Sequence, residues 1–216
     1  MTHRGFTLIE LLVVVAVIFL LFALLTPLGL RVLERAKVAR VMNDLRSIET
    51  AIETYRIDHE TYPPVTLSCQ SSDAAEELQL PLELSEGGYL PRNPGEKTSS
   101  ILYDPFSPAS TYKYVATQTY WLNGQHMPDF YAVWVPSDFP VCHSSSGQWQ
   151  SGPEAAIDWA IWSVGPRNEQ MPARLRDHLP LAADAWYHPT DVSPVGILAR
   201  IKPRADAAFF TSATPP

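Results

Sequence analysis

Few residues in this 216-residue sequence have the type and spacing for chemistry. Cys142-His143 sets a thiol beside an imidazole, but a nucleophile and its base must meet in space, and adjacency along the chain does not ensure that. Ser163 lies in Trp162-Ser163-Val164-Gly165, which lacks the first glycine of a nucleophile elbow. His126, His178 and His188 sit in loop-like contexts, and no His-Glu-x-x-His, Cys-x-x-Cys or glycine-rich phosphate loop occurs. The spacing of Asp177, Asp184 and Asp191 fits no ligand loop, so they read as solvated acids. The six tryptophans could stack sugar rings, yet most fall in strand-like runs where core packing is the better reading. Nothing here reads as catalytic machinery, and no cofactor is implied.

Glu10 is the exception. It stands in Phe6–Leu30, FTLIELLVVVAVIFLLFALLTPLGL, where every other side chain is uncharged and almost all are apolar. An ionised carboxylate costs ~2.5–3.5 kcal/mol near the centre of a bilayer and less near its edge, so such a group normally has a partner. The run is long enough for a transmembrane helix, which needs ~20 apolar residues. A cleaved secretory signal would have a shorter apolar region followed by a small-residue cleavage site. Pro27 removes a backbone donor within the run and favours a kink or local unwinding. Before the run comes only a short polar leader, Met1-Thr2-His3-Arg4, and the switch falls at Gly5-Phe6.

The elements that must position Glu10 follow from periodicity. From Arg31 to Asp58 there is no Pro or Gly, and Val41, Leu45, Ile48, Ile52 and Tyr55 recur at helical steps on one face. A single helix from about Phe6 to about Asp58 would be ~80 Å long. Its first half is apolar all round and its second half has one apolar stripe. Tyr62-Pro63-Pro64 stops it, because the residue before a proline avoids the helical region.

Beyond that stop the chain changes character. All prolines but Pro27 lie at Pro63 or later, and all tryptophans at Trp121 or later. Asp73–Leu80 reads as a short helix with Ser72 as its cap, and Gly87-Gly88-Tyr89-Leu90-Pro91 as a loop. Thr111–Thr119, Phe130–Val135 and Asp158–Val164 read as strands. A small antiparallel sheet covering the stripe gives an α+β fold: one long N-terminal helix, membrane-embedded in its first half, packed on a sheet-bearing head. The expected divisions are 1–5 as leader, 6–30 as membrane helix, 31–60 as amphipathic stem and 61–216 as globular head. From Thr61 onward 16 acidic residues face 9 basic ones. An acidic head without a Lys/Arg cluster is a poor match for nucleic acid. Cys69 and Cys142 could form a disulfide if the head is extracytoplasmic, worth ~4 kcal/mol at best in the chain-entropy model. Spacing leaves that pairing open.

Arg4-Gly5-Phe6-Thr7-Leu8-Ile9-Glu10 closely resembles the cleavage and methylation motif of type IV prepilins and type II secretion pseudopilins. The resemblance implies that a prepilin peptidase cuts between Gly5 and Phe6 and methylates Phe6. It also implies that Glu10 pairs with the terminal amine of a neighbouring subunit, and Pro27 falls where the family often has a helix-breaking proline. Partners would then be further copies of this chain, other pseudopilins, the peptidase and an inner-membrane assembly platform. The chain would cross the inner membrane once, with its head extracytoplasmic. Arg31, Arg35, Lys37 and Arg40 after the run, against Arg4 before it, would by charge bias alone put the head in the cytoplasm.

Weaker similarity continues in the head. His59-Glu60-Thr61-Tyr62-Pro63, Tyr103-Asp104-Pro105-Phe106 and the Ser163-Val164-Gly165 strand end resemble segments of major pseudopilins. Those proteins follow Ser-x-Gly with an aspartate that helps bind calcium. Here Pro166-Arg167-Asn168 stands there, and a cation in place of a carboxylate is hostile to Ca²⁺. The family reading is a structural pseudopilus subunit for protein secretion. Its alternatives are a type IV or minor pilin for adhesion, motility or DNA uptake, and a membrane-anchored enzyme or carbohydrate-binding module that carries the same signal.

Overall fold

The structure is a computed structural model that describes residues 8–67, 78–91, 102–117, 120–122, 125–127, 133–139, 142–171, 181, 185–188 and 195–204. Helix α1 spans Leu8–His59. The stretch free of glycine and proline, Arg31–Asp58, predicts its second half, and the helix also runs through position 27, so the expected local unwinding is not seen there. It ends where Glu60 takes a left-handed conformation at φ 58°, a common way to close a helix, just ahead of Tyr62-Pro63-Pro64. The chain falls into two compact units that divide inside this helix, one up to Lys37 and one from Val38 onward.

In the second unit the stripe is the core. Val41, Leu45, Ile48 and Ile52 are fully buried and share one apolar cluster with Tyr62, Tyr114, Trp159, Ile161 and Trp162. Tyr55, at the stripe's end, is half-buried.

The head's strands, among the described residues, fall into four small sheets. Strands β1 (Val65–Leu67), β2 (Tyr103–Asp104), β3 (Ser107–Thr111), β4 (Lys113–Ala116), β5 (Tyr120–Leu122) and β6 (Gln125–His126) come first. They are followed by β7 (Val133–Pro136), β8 (Gly147–Gln150), β9 (Ile157–Ser163) and β10 (Leu198–Pro203). The main sheet is antiparallel in the order β10-β9-β4. Every residue of its middle strand β9 is buried. A second sheet, β1-β5-β6, includes a parallel pair, β1 with β5. Hairpins β2-β3 and β7-β8 complete the set.

The expected strand over Thr111–Thr119 is divided at Tyr112 into the end of β3 and all of β4. Tyr112 leaves the ladder and sends its hydroxyl to the stem carboxylate Asp44, 2.7 Å away. The helix expected over Asp73–Leu80 fails at its described end. Leu78 has φ 57° and Gln79 forms a bridge with Lys113, while 71–77 lie outside the described residues. A one-turn helix α2 occupies Glu83–Glu86 instead, too short for apolar periodicity to reveal. Gly165, which ends the Ser163-Val164-Gly165 run, has φ 72°, and a side chain there would collide with the backbone of Gly196. Only glycine meets both demands.

Candidate assembly site

The first unit exposes its apolar surface. Leu8 is 82% exposed, Ile9 70% and Leu12 62%, with Phe19 and Phe22 in the same state. Glu10 lies in the first turn of α1, where a carboxylate also complements the positive end of the helix dipole, and it too is exposed. Gly5 and Phe6, the expected cleavage pair, lie outside the described residues. Thr26 returns its hydroxyl to the carbonyl of Phe22 at 2.7 Å, so one polar group of the run is satisfied within the helix. Among the described residues no helix is long and apolar enough to cross a membrane.

The second unit holds its part of the helix with a polar clasp that the sequence reading missed. Glu49 pairs with Arg200 at 2.5 Å, and Glu53 with Lys202 at 2.6 Å. The indole N–H of Trp159 donates to the other oxygen of Glu53 at 2.8 Å. Arg204 donates to Asp158 at 2.9 Å, and Asp158 also accepts the Tyr62 hydroxyl at 3.1 Å. Arg56 lies over the Tyr62 ring, 4.9 Å from its centroid. Burial and the facing carboxylates push the Tyr62 phenol well above its ordinary value. The signal was present in outline. Arg200, Lys202 and Arg204 alternate, as one face of a strand does, and Glu49 and Glu53 are one helical turn apart.

Asp104 is the second hub. It is almost fully buried, and its carboxylate accepts the Phe106 N–H, the Ser163 hydroxyl and the Val164 N–H, each at 2.9 Å. Burial raises its pKa from 3.8, outweighing the three hydrogen bonds that lower it. The Ser163 hydroxyl therefore staples β9 to the β2-β3 hairpin, which is a structural use. Asn168 donates its side-chain amide to the Phe106 carbonyl at 3.0 Å, and Arg167 beside it has φ 52°. The segment where a calcium-binding aspartate would stand is thus tied down by an amide. Among the described residues no three His, Cys, Asp or Glu side chains are grouped to hold a metal, and Asp177, Asp184 and Asp191 lie outside them.

Cys142 is buried, and burial together with Asp138 pushes its thiol up to about 12, which keeps it protonated and unreactive at neutral pH. Its candidate partner Cys69 lies outside the described residues. The tryptophans divide: Trp159, Trp162 and Trp186 are buried, whereas Trp149 is 48% exposed.

Comparison with known proteins bears on both units. The prokaryotic N-terminal methylation motif matches residues 1–26. A type II secretion system core protein G of Klebsiella pneumoniae is 28% identical over 152 residues, covering 69% of this chain and 96% of the relative. The Escherichia coli K12 protein of the same description is 31% identical over 44% of this chain and 66% of its own length. A type IV major fimbrial protein FimA of Dichelobacter nodosus is 46% identical over 26% of this chain and 36% of its own length. No solved structure matches the chain.

Proposed function

Because the chain carries the prepilin methylation motif and is a homologue of the type II secretion core protein G, a structural and non-enzymatic pseudopilin, we propose that it is a filament subunit for type II protein secretion. The motif marks it as membrane-anchored. In this reading the chain enters the inner membrane once with its head outside the cytoplasm, and a prepilin peptidase cuts between Gly5 and Phe6. N-methylation leaves Phe6 a cationic amine. Glu10 of one subunit then neutralises that amine on the next, which favours one axial register over others more than it adds raw stability. The apolar run of the first unit serves first as a lipid anchor and then as filament core, with an assembly platform and other pseudopilins as partners.

The observation that carries this proposal is the match to core protein G over nearly the whole of one relative's length. The fimbrial match, confined to about a quarter of the chain, favours the type IV pilin reading less. The test is co-expression with a prepilin peptidase, followed by intact mass and amino-terminal sequencing. A product beginning with N-methyl-Phe6 is expected. An uncut chain, beside a control prepilin that is processed, would overturn the proposal.

A further inference from the structure

Along the β7-β8 hairpin lies a half-open cleft of about 510 Å³, within the range of small-ligand sites. Its apolar wall is Val135, Phe139 and Ala156, and its polar lining is Ser137, Ser146, Gln148 and Gln150. No lining residue can carry a charge, although the whole protein has a net charge of −7. A charged peptide, a nucleotide or a metal ion would find no counter-charge in that lining. A lipid chain would leave the amide N–H groups of Gln148 and Gln150 without partners, at a cost of the order of 1–3 kcal/mol each.

The polar groups are arranged to meet a ligand that both donates and accepts. Ser137, Ser144 and Ser146 form a triangle of hydroxyls, with oxygens 2.7 to 2.9 Å apart. Such a ring uses one donor per hydroxyl, and Ser144 also accepts the Ser146 N–H at 3.1 Å, so acceptor capacity is left on the two lining oxygens, Ser137 and Ser146. The Gln150 carbonyl accepts the Ala156 N–H at 2.7 Å, which orients its amide and leaves its two N–H donors available. Gln148 is exposed, and its amide makes no hydrogen bond among the described residues.

A ligand that is neutral, carries many hydroxyls and has one apolar face meets the lining hydroxyls of Ser137 and Ser146 and the amides of Gln148 and Gln150 together, and that is the chemistry of a pyranose ring. We propose that this cleft binds a neutral oligosaccharide. The site is independent of the filament reading, since it uses no residue of α1. Trp149 is not part of it: strand alternation turns its indole to the opposite face of β8 from Gln148 and Gln150.

The test uses the full chain in zwitterionic micelles, because a maltoside detergent would itself present sugar. Maltotriose, cellotriose and triacetylchitotriose are titrated by calorimetry and saturation-transfer NMR. We expect saturable binding of at least one of them, weakened at least about fivefold by Gln148→Ala at unchanged melting temperature and unaffected by Trp149→Ala. Three results would each overturn the proposal: no saturable binding of any of the three, Gln148→Ala binding like the natural chain, or loss of binding in Trp149→Ala.

Discussion

From Leu8 to Lys37, helix α1 turns apolar side chains outward over most of its surface, whereas from Val38 to His59 it shows one buried stripe flanked by paired carboxylates. The backbone is helical in both stretches, so the difference lies in what each surface requires. An exposed, all-round apolar surface has no function in water and calls for lipid or further copies of itself. The stripe is already satisfied within its own chain. Assembly and head stability should therefore separate cleanly by position along one helix.

The largest expected effect is on assembly. Glu10→Ala should abolish filaments, read by electron microscopy and by sheared-fraction immunoblot, with the head's melting temperature unchanged. A fall in that melting temperature would show that the two stretches are not independent. Next, Ile48→Ala removes a fully buried side chain and should cost ~2–5 kcal/mol in denaturant unfolding of the head, while Leu12→Ala should shift it by less than ~0.5 kcal/mol.

Asp104 sharpens the comparison through pH. Its folded pKa is raised above 3.8, so over the window beginning there the native state holds more protons than the unfolded one. Its contribution to stability is present at low pH and lost as pH rises through the folded pKa. Asp104→Asn should remove that slope in urea titrations run upward from about pH 4, and Glu10→Gln should not. The smallest effect is at the clasp. Glu53→Gln weakens the pairing with Lys202 but keeps an acceptor for Trp159, and should cost ~1 kcal/mol or less. Added salt should shrink the gap, since both side chains are about one-third exposed.

Much of this organisation is local and therefore legible. The second half of the long helix follows from Arg31–Asp58, a run without glycine or proline, its end from Tyr62-Pro63-Pro64, and its buried face from the spacing of Val41, Leu45, Ile48 and Ile52. β9 could be read as a strand because Ile157, Trp159, Ile161 and Trp162 are of types that favour strands. β8 and β10 were not read. Their residues, Gly147-Gln148-Trp149-Gln150 and Leu198–Pro203, become strands by pairing with β7 and β9, and pairing partners are not written in local composition.

By itself, then, the sequence determined the processing motif, the anchor-like run with its single carboxylate, and the amphipathic stem, since each depends on residues within a few turns of one another. Tertiary structure alone decided that Arg200 and Lys202 meet Glu49 and Glu53, and that Ser163 serves Asp104 instead of a base. It also decided which tryptophans are core and which of the polar residues around Ser137 and Gln150 face one cavity. Those contacts join segments up to 151 positions apart, Glu49 to Arg200, and only the closing of the fold brings such groups within hydrogen-bonding range.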